Sequence, residues 1–144
     1  MSVKHLTSTP PLTLSPEETV AQAAQVMVAH GVGAATIVDA STVIGVVTER
    51  DILKKVVAVG IDPDTTRVRA IMSSPAFSVP ERTTVSAAGE LMRKHHIRHL
   101  VVLDEEGKHI GMLALRYVLY DIMDELARKV GDLEGFIMTD GPGG

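Results

Sequence analysis

The sequence predicts an α+β fold: two β-α-β-β-α units packed sheet to sheet with pseudo-two-fold symmetry. Three observations predict it. The chain repeats itself at an offset of 65 residues, and each copy carries the same order of short apolar strands and amphipathic helices. A unit of about 55 residues also buries too little surface to be secure alone, so two copies must share a core.

Val3–Pro10 (VKHLTSTP) lies over Val68–Pro75 (VRAIMSSP), and Thr19–His30 (TVAQAAQVMVAH) over Thr84–His95 (TVSAAGELMRKH). From Val3 to Asp39 no gap is needed, and nine of the 37 positions are identical. These identities run through strand and turn positions as well as helices, which marks a duplication. One residue is added in a turn, where ASTVI before Gly45 becomes EEGKHI before Gly111. The copies then resume as GVVTERDIL and GMLALRYVL.

Each copy opens on a short extended piece, with Leu12 and Leu14 in one and Phe77 and Val79 in the other. A helix follows. Thr19 suits an N-cap, with Gln22 three residues on as in a capping box. Val20, Ala23, Ala24 and Met27 fall on one helical face, and Gly31 closes the helix. The second copy keeps Val85, Ala88 and Met92. Two apolar strands come next, about 34–38 and 43–47, matched by 99–103 and 109–113. A second helix is expected near 50–59, and again from Arg116 to about Lys129. The repeats are thus expected at residues 3–59 and 68–130, the second with the C-terminal helix. The turn-rich GIDPDTT stretch makes 60–67 a linker. The Gly-rich end makes 131–144 a flexible tail.

Bulk properties exclude several classes. A net charge of −4 and a pI near 5.8 argue against nucleic-acid or anionic-membrane partners. Aromatic residues make up only 3% of the chain, too few for a base-stacking platform. There is no cysteine, hence no disulfide or thiolate metal site. No apolar run approaches the roughly 18 residues that span a bilayer. The N-terminus lacks a signal peptide's apolar block, so a cytoplasmic location is expected. No nucleophile elbow or phosphate-binding P-loop occurs, and no enzyme activity is expected. His95, His96, His99 and His109 lie close in sequence, but the strand from Ile97 breaks the helical spacing of His95 and His99. No metal site is expected from them.

The residues that carry a resemblance are the TV-x-x-A helix starts, the strands ending in Asp39 and Asp104, and GVVTERD at Gly45–Asp51. In this pattern the chain resembles, from about Val3 to Met123, a tandem pair of CBS (cystathionine β-synthase-type) domains, or Bateman module. That resemblance implies reversible binding of AMP, ADP, ATP or S-adenosylmethionine in the cleft between repeats.

On this basis Asp51 is expected to accept hydrogen bonds from both ribose hydroxyls, as acidic residues do in dinucleotide folds. Thr48, at a strand-to-helix junction, would meet a phosphate with its hydroxyl and the free N–H groups of the helix start. The same Thr-x-x-Asp is also an ordinary helix start, with Thr48 as cap and Asp51 at the positive helix end. The second copy has Ala114 and Tyr117 in these places, yet its helix pattern persists. One nucleotide per chain is therefore expected. The family also implies a phosphate role for Arg98, with His99 as a further donor and Ile97 against the base. Phe77 would line that pocket. Lys54 and Lys55 are expected on a solvated helix face.

The expected function is a stand-alone regulatory module that binds an adenosine-type ligand, forms a homodimer and signals to an unknown partner protein. Val118, Leu119, Ile122 and Met123 would supply the dimer contact. The rivals are a ligand-free dimeric interaction scaffold and a histidine-based metal-binding stress protein.

Overall fold

The computed structural model describes residues 1–140, with side chains through Leu133. Each half holds a three-stranded sheet. In the first, β1 (Thr13–Leu14) pairs parallel with β2 (Ala34–Asp39), which pairs antiparallel with β3 (Thr42–Thr48). In the second, β4 (Ser78–Pro80), β5 (His99–Leu103) and β6 (His109–Ala114) repeat that order and those directions. Helix α1 (Val20–His30) links β1 to β2, and α3 (Val85–His95) links β4 to β5. After β3, α2 runs over Glu49–Ile52 and continues as a π-helical turn over Leu53–Val57. After β6, α4 runs from Leu115 to Asp140. The two β-α-β-β-α units are those the sequence predicts.

The strands alternate, as a sheet with two buried faces requires. Ala35, Ile37 and Val47 join Val20, Ala23 and Met27 in one core. Leu100, Val102 and Leu113 join Val85, Ala88 and Met92 in the other. The opposite faces meet between the sheets through Ala34, Val46 and Val101. Wholly buried Thr36 lies on this inner face, with its hydroxyl 3.3 Å from Nε2 of His109 in the other repeat.

Helix ends follow local chemistry. Thr19 and Gln22 form the expected capping box. Gly31 takes the left-handed conformation, φ 64°, that closes α1. Its counterpart His96 adopts φ 54° to close α3, a conformation that costs a residue with a Cβ roughly 1–2 kcal/mol.

The ends of the repeats show two features that the linear order does not display. The leading turn of each linear repeat packs on the other repeat. Val3, in a 3-10 turn over Val3–Leu6, is buried in the second core. Val68 and Ile71 are buried in the first. Each core is thus completed by the leading turn of the other repeat. Helix α4 also extends past 130 to Asp140, so the expected flexible tail is helical over 131–140. Its last four residues lie outside the described part. The apolar positions from Leu119 to Leu133 keep helical spacing straight across Gly131, and one glycine weighs only about 1 kcal/mol against a helix.

Candidate functional site between the repeats

Strand β3 ends at Thr48, whose extended backbone (φ −121°, ψ 162°) makes it the N-cap of α2. The Thr48 hydroxyl accepts from the Asp51 amide at 3.1 Å. In return Asp51 Oδ2 accepts from the Thr48 amide at 3.0 Å and from its hydroxyl at 3.1 Å. This is a complete capping box. It consumes only one carboxylate oxygen. Oδ1 accepts from the Ser73 hydroxyl at 3.0 Å and stands 3.0 Å from the Lys55 ammonium. Asp51 is buried at 7% exposure, so each of these partners replaces water that the carboxylate has lost.

Ser73 reaches Asp51 because its segment lies on β3. The Val46 amide donates to the Ser73 carbonyl at 3.0 Å, and the Ser73 amide to the Val46 carbonyl at 2.8 Å. The approach is so close that a Cβ on Gly45 would stand 2.8 Å from the Ser73 carbonyl oxygen. The glycine that opens GVVTERD is there for space.

The second repeat starts its helix without the cap. The Leu115 amide donates to the Arg98 carbonyl at 2.8 Å, as the Glu49 amide donates to the Gly33 carbonyl at 2.9 Å. The backbone device is common to both halves. The Thr–Asp pair is added in the first alone. At Asp51's counterpart, Tyr117 meets the Arg116 guanidinium 5.0 Å from its ring centre.

His99 opens β5 opposite Ala114. Burial holds its imidazole below the usual value, the pull of the Glu49 carboxylate opposes this, and the charges of Arg116 and Arg98 push the same way as burial. Ile97 and Arg98 instead line a cleft of about 990 Å³ between α3 and α4, together with Arg50. A smaller cleft of about 530 Å³ opens between the sheets beside Thr13, Val43, Ser78 and His109. Neither is lined by Thr48 or Asp51. Phe77 is half exposed and stacks on His95, with ring centres 4.6 Å apart. The structure thus joins Thr48 to Asp51 directly, keeps His99 in the second sheet opposite Ala114, and sets Ile97 and Arg98 on the α3–α4 cleft and Phe77 against His95.

Two residues at Asp51 escape sequence reasoning. Lys55 is on a solvated face as expected, but its ammonium turns to the carboxylate one helical turn back. Ser73 carried a signal, since it is one of the identities in the duplication, matched by Ser8. Among the described residues no three His, Asp or Glu side chains gather as a metal site.

The model of the CBS domain family matches residues 3–58 and 68–124. An uncharacterized protein of Methanopyrus kandleri is 40% identical over 109 residues, which cover 75% of this chain and 56% of that protein. The CBS domain-containing protein YhcV of Bacillus subtilis is 35% identical over 114 residues, 79% of this chain and 80% of YhcV. The solved structure of a CBS domain protein from Pyrobaculum aerophilum complexed with AMP is 32% identical. Its TM-score is 0.78, with 89% of this chain and 99% of that one covered.

Proposed function

The chain belongs to the CBS domain family, and from that premise we propose that it is a regulatory module whose inter-repeat cleft binds an adenosine-type nucleotide. The observation that carries this reading is the Thr48–Asp51 pair. Both repeats start their second helix on the same backbone bond, so the pair is not needed to start one. A buried carboxylate beside a helix N-terminus matches what a ribose diol with a following phosphate requires. The relative from Pyrobaculum aerophilum is complexed with AMP, which makes AMP the first ligand to try. With Tyr117 in place of the aspartate, the second repeat has no such carboxylate, and one ligand per chain follows. The test is a thermal-shift screen of AMP, ADP, ATP and S-adenosylmethionine. At least one should raise the melting temperature, and the rise should grow with the logarithm of ligand concentration above its Kd. No shift with any of them would leave the interaction-scaffold reading.

The module acts as a homodimer in this reading. Val118 is wholly buried in the second core and makes no such contact. The free apolar face of α4 comprises Leu119, Met123, Leu126, Val130 and Leu133, each between 47% and 62% exposed. Their steps of four and three are those of a coiled-coil seam. Leu53 and Val57 of the α2 region, at the positions equivalent to Leu119 and Met123, are exposed too.

A further inference from the structure

We propose that Lys55 and Ser73 form a latch across Asp51 which a bound ribose must open, so that these two residues set the site's affinity. This rests on the nucleotide reading above. An ionised carboxylate offers about four lone-pair sites. The cap takes those of Oδ2, through the Thr48 amide and hydroxyl. Ser73 and Lys55 take those of Oδ1. A diol brings two more donors, so it binds Asp51 only by displacing donors already there. The capping donors belong to the turn that starts α2 and are fixed by it. The other two are free to leave.

Both can withdraw without moving the backbone. Ser73 is held by its two main-chain bonds to Val46, and its hydroxyl leaves by one side-chain rotation. The Lys55 side chain is 45% exposed, so its ammonium has water to move into. Lys55 lies within the π-helical turn Leu53–Val57, a geometry that occurs frequently at functional sites. Its ammonium also donates to the Ile71 carbonyl at 2.9 Å. The closed latch therefore ties α2 to residues 71–73, which lead into β4 of the other repeat. Opening it tells that segment that the site is filled. The second repeat has no counterpart, because Asp121 stands where Lys55 does, 3.5 Å from the His5 ring nitrogen.

The experiment is calorimetry of AMP and 2′,3′-dideoxy-AMP against the wild type, Lys55→Met and Ser73→Ala. Each substitution removes a competitor for Oδ1 in the empty site and leaves the filled site unchanged. AMP should bind each variant roughly three- to tenfold more tightly, the equivalent of one net hydrogen bond. The dideoxy analogue, which has no diol, should show no gain. Ser73→Ala keeps the counter-ion of Asp51, so it tests the latch even where Lys55→Met folds poorly. If AMP binds all three proteins equally, or the variants more weakly, the latch is wrong and the nucleotide reading stands. An equal gain for the dideoxy analogue would also sink the latch. Binding of AMP to none of the three overturns both.

Discussion

The amide of Val3 donates to the carbonyl of Thr83 at 2.8 Å, and in the other half the amide of Val68 donates to the carbonyl of Glu18 at 2.9 Å. Residues three places from the N-terminus thus belong to the core of the distant repeat. Val3→Ala should lower unfolding free energy by about 1–3 kcal/mol, the usual worth of a buried valine side chain. Val28→Ala, at an 80% exposed position, should change little. Urea denaturation distinguishes the two. Equal, small effects would mean that the N-terminal turn is frayed in solution.

Asp51→Ala should reduce AMP affinity tenfold or more. It should also destabilise the unliganded protein by about 1–3 kcal/mol, because it removes a cap, the acceptor of the Ser73 hydroxyl and the counter-ion of Lys55. Stability loss is therefore no sign against a ribose role. The deciding measurement is wild-type affinity for AMP against 2′-deoxy-AMP. A loss of about 1–3 kcal/mol with the deoxy form is expected. Equal affinities would leave Asp51 as a helix cap only.

Arg98→Ala should weaken AMP and ATP more than adenosine, since only phosphates gain from the guanidinium. The exposed Arg98 side chain lines the α3–α4 cleft with Arg50. Double substitution with Arg50→Ala should deepen the loss for ATP if both reach the phosphates. A uniform loss across all three ligands would point to damaged packing instead.

Burial holds the imidazoles of His99 and His109 below the ordinary 6.5. The unfolded chain therefore binds more protons than the fold between the folded values and 6.5. Stability should be whole above about pH 6.5 and fall as the pH drops through that window. Urea midpoints at pH 7.5, 6.5 and 5.5 measure it. His109→Gln should flatten the slope, and an unchanged slope would remove His109 from the account.

The chain has no cysteine, so one introduced thiol reports on the α4 seam without ambiguity. Leu126→Cys should cross-link into disulfide dimers under mild oxidation. Asp124→Cys, two positions away and off the seam, should not. Met123→Glu should shift the protein to monomer in sedimentation. Failure of both to separate seam from outer face would place the dimer contact elsewhere.

Much of this was legible in the sequence because it follows from periodicity. Val20, Ala23 and Met27 mark the core face of α1, and the short apolar run Ala34–Val38 marks a strand buried on both sides. The Thr19–Gln22 box needed only its spacing. The crossing of the leading turns was not legible. Val3 and Val68 look alike in every local respect, and nothing in a linear repeat says which sheet a short segment joins. Lys55 was hidden for another reason. Helical spacing put it with the solvated residues, but a long side chain four residues after a buried carboxylate folds back onto it.

The crossed turns also determine how this molecule comes apart. A chain cut between Gly60 and Thr66 gives a front fragment that lacks Val68 and Ile71, and a rear fragment that lacks Val3. Neither fragment can close its own interior. Each carries the stopper for the other. Separately the pieces should be unfinished and adhesive, and together they should complement one another without any covalent link. What duplication wrote as two tandem units is built physically as an exchange, and either half excised alone should fail to fold as a working part.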